Sequence, residues 1–164
     1  MDSFTPVIGL HAVAALYVLL LGPFQILRRR RDTAHRIIGA SWVVSMLVVC
    51  ISSFWIMPHG FTWLHGLSIW TLISLAMALV GVRLRIYQLH MYTMVFSYIG
   101  TAIAFVFASI IPGRLIPEAL QHEPLVVAGT VLGVLALATI FVVVTLRATA
   151  AGRERCDAPA GSVA

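Results

Sequence analysis

The sequence predicts an all-α integral membrane bundle of five transmembrane helices, and three observations predict it. The 164 residues are 60% hydrophobic and only 10% charged, where a soluble domain carries about a quarter charged residues. Five stretches, about 6–27, 36–57, 61–82, 91–111 and 125–146, reach the ~20 apolar residues that a bilayer crossing needs. All 11 Lys and Arg residues are Arg, and all but Arg114 fall at one end of those stretches. They are Arg28, Arg29, Arg30, Arg31, Arg36, Arg83, Arg85, Arg147, Arg153 and Arg155.

Little chain lies outside the five stretches. Residues 1–150 therefore read as a single transmembrane domain with no room for a soluble catalytic domain. The small, polar residues 151–164 read as a disordered cytoplasmic tail. Cytoplasmic loops carry the excess of Arg, so the N-terminus is expected outside and the C-terminus in the cytoplasm. The pI near 10.0 is then a topology signal, not a sign of nucleic-acid binding. The first stretch has no basic residues before it and is long for a signal-peptide core, so it is expected to be retained. Cys50, in mid-membrane, and Cys156, in the tail, are not expected to pair.

Taken in order, the first span carries His11 near its outer end and Gly22-Pro23 near its inner end, where the last turns should loosen or kink. Gln25 follows at the inner boundary. The run Arg28–Arg31 reads as an anchor to anionic headgroups. The second span begins at His35-Arg36 and ends at Ser52-Ser53-Phe54-Trp55. Trp55 and Trp63 suit an outer aromatic belt, and Tyr87 and Tyr92 an inner one. The third span carries His65, Ser68, Thr71 and Ser74 at steps of three, a polar strip that should face other helices. The fourth shows Ser97, Gly100, Ala104 and Ala108, and the fifth Gly129 and Gly133, both expected as close-approach faces. The residues from Arg114 to Pro124 read as the longest outer loop, holding Glu118, His122 and Glu123.

The six histidines separate by depth. His35 and His90 start the second and fourth spans at the inner level. His11 and His65 share an outer level on the first and third spans. His59 and His122 fall in outer loops. Paired imidazoles from facing helices at two levels are how a bundle holds two b haems. Arg28, Arg36 or Arg85 could hold inner propionates and Arg114 outer ones. An unpartnered polar group in the bilayer is costly, which favours a role for these side chains. Interfacial histidines also cap and snorkel, so a structural role competes. A third reading gathers His11, His59, His65 and His122, with Glu118 and Glu123, around Zn²⁺ or Cu²⁺. There is no Walker-type loop, nucleophile elbow or HExxH, and no acid lies within any span. Enzymatic activity is therefore not expected, and neither is carboxylate-based proton coupling.

Several short runs also carry a resemblance. They are Leu21-Gly22-Pro23-Phe24-Gln25, His35-Arg36 with Gly39, Ser52-Ser53-Phe54-Trp55-Ile56, Leu64-His65 with Leu67-Ser68 and Thr71-Leu72, His90 with Met94, and Pro112-Gly113-Arg114. In this order and spacing, from about His11 to Leu115, the chain resembles the bacterial predicted membrane protein family DUF2306. The resemblance implies a small multi-spanning helical protein, with no activity attached. It marks His11, His35, His65, His90 and Arg114 as positions of the family pattern. Ser74-Leu75-Ala76-Met77 departs from it, since a proline is expected there.

The expected function is transmembrane electron transfer by b haem, ligated by His35 and His90 at the inner level and His11 and His65 at the outer. The expected location is the inner membrane of a bacterium, with the lipid bilayer as the main partner. The runner-up is a non-catalytic subunit that packs its fourth and fifth spans against a larger membrane complex or against copies of itself.

Overall fold

The computed structural model describes residues 6–56, 60–111 and 115–157. They form α1 (Pro6–Leu27), α2 (Thr33–Ser53), α3 (Trp63–Arg83), α4 (Tyr87–Ile110), α5 (Leu115–His122) and α6 (Pro124–Asp157). All but α5 are long and apolar enough to cross a membrane, so the five expected spans are present.

The caps explain where the spans begin. Asp32 is the N-cap of α2, and its carboxylate accepts the His35 N–H at 3.1 Å, so α2 starts before Arg36. Thr62 caps α3, and the His65 ring reaches back to the Thr62 N–H at 3.0 Å. Arg85 closes α3 in the left-handed region, at φ 60°. The Ile86 N–H reaches Gly81 O at 2.8 Å and the Arg85 N–H reaches Val82 O at 3.1 Å, a Schellman closure. Despite the missing proline, α3 is one continuous helix.

Two segments differ from expectation. The outer loop contains a helix, α5. Pro117 is tolerated in its first turn, and Glu118 there complements the helix dipole. The last span runs past Leu146 to Asp157, through residues expected to be disordered tail. Ala148, Ala150 and Ala151 favour helix, and Arg153 reaches Asp32 at 3.6 Å.

The first four helices form a ring. α1 packs on α2, α2 on α3, α3 on α4 and α4 on α1. Among the described residues the α1 and α3 backbones do not meet, nor do those of α2 and α4, although Thr101 of α4 reaches Met46 Sδ of α2 at 3.5 Å; these pairs are diagonals. α6 lies outside, against α1 and α2, and α5 joins α4 to α6. Val18, Leu21, Ile38, Trp42, Met46, Cys50 and Leu75 form the core. The Trp42 indole N–H donates to Val18 O at 3.0 Å.

Pro23 does not end α1. It has no N–H for the Leu19 carbonyl, and the Tyr98 hydroxyl from α4 supplies a long bond there at 3.5 Å. The Tyr98 ring lies directly on Gly22, where any Cβ would collide with it. The polar strip of α3 turns inward as expected, with His65, Thr71 and Ser74 buried. On α4, Ser97 is buried and Gly100 meets Leu67. The glycines of the last span do not form a close approach within this chain. A Cβ at Gly129 or Gly133 would meet nothing within 4 Å, because α6 turns Val134, Ala138 and Thr145 inward instead.

Candidate functional site: a cavity between diagonal histidines

The ring surrounds a partly open cavity of about 350 Å³ in the half that carries His11 and His65. All four ring helices line it, and Ile116 of α5 adds to the wall. Ala12 and Ala15 of α1 and Ala104 and Ala108 of α4 leave the space. Ser53, Thr62, Ser68, Thr71 and Thr101 also line it, and no lining residue is charged.

His11 and His65 come from diagonal helices into this one cavity, and their hydrogen bonds assign different tautomers. Ser52 Oγ lies 2.6 Å from Val48 O and 2.9 Å from His11 Nδ1. A serine has one proton, and the carbonyl can only accept, so Ser52 donates to Val48 and accepts His11 Nδ1–H. His11 Nε2 keeps its lone pair. At His65 the Thr62 N–H donates to Nδ1, so the proton of the neutral ring sits on Nε2. Phe54 and Phe61 flank that ring, with centroids 6.1 and 5.2 Å away. The pair therefore offers one acceptor nitrogen and one donor.

The other pair, His35 and His90, stands on diagonal α2 and α4 at the arginine-rich end. His90 Nδ1 donates to Ala78 O at 3.2 Å, leaving Nε2 with its lone pair. His35 Nδ1 lies 3.4 Å from the Arg31 guanidinium, which can only donate. Between the helices at this end the glycines are closely approached, although a more open space lies outside the ring at Phe24, Leu27, Arg28 and Leu146. The Gln25 amide donates to His35 O at 3.0 Å and lies 3.1 Å from where a Gly39 Cβ would sit. The His90 backbone presses on Gly81. Gln25 Oε1 is buried with no partner among the described residues.

Arg28 binds Asp32 through two bonds of 2.8 and 2.9 Å. That guanidinium and the His35 N–H hold the Asp32 carboxyl down to about 2. Arg36 is exposed on the first turn of α2.

Of the remaining predicted site residues, His122 is exposed at the end of α5. His59 and Arg114 lie outside the described residues. Among the described residues no three His, Cys, Asp or Glu side chains converge to hold a metal ion. Ser52 and Thr62, which decide the histidine tautomers, carried no functional signal in the sequence. The nearest hint was the Thr62-x-x-His65 spacing of a capping box.

No curated protein and no solved structure matches this chain. The family model described as predicted membrane protein (DUF2306) matches residues 8–148, so the match extends through the fifth span, beyond the runs that first suggested it, and the chain belongs to that family.

Proposed function

We propose that this protein binds a neutral, lipid-soluble ligand of single-ring size in the cavity between His11 and His65. The observation that carries the reading is a cavity of about 350 Å³ inside a small bundle. Side chains from all four ring helices wall it, most of them apolar, and it is partly open, which gives a ligand a way in. The volume also lies near the lower end of ligand pockets, about 300–1,000 Å³, which suits one ring.

Thermal unfolding of the protein in detergent micelles tests this, with phenol and indole as neutral probes and benzoate as a charged one. Phenol or indole should raise the melting temperature, benzoate should not, and Ala104→Trp should abolish the shift by filling the space. No shift from any neutral ring, or an undiminished shift in Ala104→Trp, would refute it.

The second reading is transmembrane electron transfer by b haem. It is favoured by the two histidine pairs on diagonal helices, and by His90 Nδ1–H donating to Ala78 O, as ligating imidazoles do. Three features count against it. His65 Nε2 carries a proton while Thr62 holds Nδ1. The cavity suits one ring rather than the four pyrroles of a porphyrin. At the level of His35 and His90 the Gln25 amide approaches Gly39 and the His90 backbone approaches Gly81, each within 3.1 Å of where a Cβ would stand. Sharp α and β bands on reduction of the purified protein would establish haem, and a preparation colourless after expression with ample haem would remove it. The subunit reading has the open Gly129 and Gly133 face in its favour. In orientation, the arginine-rich end belongs in the cytoplasm by the positive-inside rule, and the cavity then lies in the outer half of the bilayer.

A further inference from the structure

We infer that the ligand is the headgroup of a quinol, a six-membered ring with a hydroxyl at each end. This deepens the cavity reading and rests on it. The reasoning starts from what each wall group can still offer. Ser53 gives its proton to Cys50 O at 2.7 Å or to Ser68 Oγ at 2.9 Å. Ser68 lies 3.3 Å from Leu64 O. Thr71 donates to Leu67 O at 2.8 Å and Thr101 to Ser97 O at 2.9 Å. These hydroxyls give their protons to protein groups and turn lone pairs to the cavity. The two nitrogens left are His65 Nε2, a donor, and His11 Nε2, an acceptor.

Among the described residues no Arg, Asp or Glu lines the cavity. A carboxylate or phosphate would enter with no partner for its charge, which the bilayer interior penalises. The ligand is therefore neutral. One of its oxygens must accept from His65 and another must donate to His11. The two histidines stand on diagonal helices, so these oxygens lie at opposite ends of a rigid spacer, with apolar faces against Leu16, Leu19, Leu67 and Phe105. A quinol meets all of this, because each hydroxyl both donates and accepts. A quinone carries only acceptors and leaves His11 Nε2 without a hydrogen bond. The site should therefore prefer the reduced form by about fivefold, the worth of one net hydrogen bond between neutral groups.

The test uses the full chain in nanodiscs and measures saturable binding of duroquinol and duroquinone against empty nanodiscs. Duroquinol should bind about fivefold more tightly. His11→Ala should erase that preference. His65→Gln should weaken both forms. Glutamine at this position can still close a capping box with Thr62, so this variant should fold, and circular dichroism checks that it does. Equal affinities, or a preference that survives His11→Ala, would overturn the quinol assignment. So would the absence of saturable binding of either form while phenol or indole still raises the melting temperature, and the cavity reading would then stand alone. If no neutral ring of any kind binds, both readings fall.

Discussion

Gly22→Ala is the sharpest test of how the bundle holds together, because two large effects oppose each other. Alanine is a better helix former than glycine by about 1 kcal/mol, so on an open helix face the change would stabilise. At Gly22 the new methyl would collide with the Tyr98 ring, with Cγ at 3.2 Å and two further ring carbons closer still. Displacing a packed ring costs about 1–3 kcal/mol. It also withdraws the Tyr98 hydroxyl from Leu19 O, where the bond is already long at 3.5 Å. Hydrogen bonds between membrane helices average about 0.6 kcal/mol. The net expectation is a destabilisation of about 1–2 kcal/mol. Reversible unfolding in mixed dodecyl maltoside and SDS micelles measures it. In a Tyr98→Ala background the collision is gone, and the same change should become neutral or stabilising. A Gly22→Ala protein more stable than wild type, or the same loss in both backgrounds, would refute the close α1–α4 approach.

Two further outcomes follow from the arginine-rich end. Asp32 titrates at about 2 in the folded protein against an ordinary 3.8; its contribution is therefore fully present above about pH 4 and disappears as the pH falls through 2. Hydrogen exchange at the His35 amide should accelerate over that window in wild type, and Asp32→Asn should remove the dependence. Replacing Arg28 to Arg31 with serine should weaken the topology bias. With the arginine-rich end in the cytoplasm as proposed, Cys156 should be shielded in intact wild-type cells and become partly accessible to a membrane-impermeant thiol reagent in this variant, and equal labelling of the two would argue against these arginines as the determinant.

The five spans were legible because hydropathy over twenty residues depends little on what each helix later packs against. The polar strip His65, Thr71 and Ser74 was legible for the same reason, since the bilayer leaves such residues nowhere to point but inward. Depth along a span was readable too: His11 and His65, expected at one level, line one cavity. The state of each imidazole was not readable. His11 takes its tautomer from Ser52, which lies 41 residues away in sequence and already serves its own helix. His65 takes its tautomer from a capping bond that looks, in sequence, like a loop threonine. The cavity was equally hidden, because it exists only where the small residues of α1 and α4 face each other. Helix α5 was missed because Pro117 and the short length both point to a loop.

The contrast between the two ends of the bundle bears on whether the cavity is incidental. Both ends place small residues at the ring interior. At the arginine-rich end each gap is closed: the Gln25 amide fills the space at Gly39, and the His90 backbone with Ile86 O covers Gly81. Closure there leaves Gln25 Oε1 buried without a partner, a cost that a looser arrangement would avoid by admitting water. The same fold therefore does pack its interior tightly where nothing is to be bound, even at the expense of a polar atom. At the other end Ala12, Ala15, Ala104 and Ala108 meet no such filler, and two oppositely disposed imidazoles line the space instead. At the arginine-rich end a space of similar volume lies outside the ring, between α1 and α6 at Phe24, Leu27, Arg28 and Leu146. Space among all four ring helices, with one donor nitrogen and one acceptor nitrogen at its walls, is better explained by an occupant than by a defect.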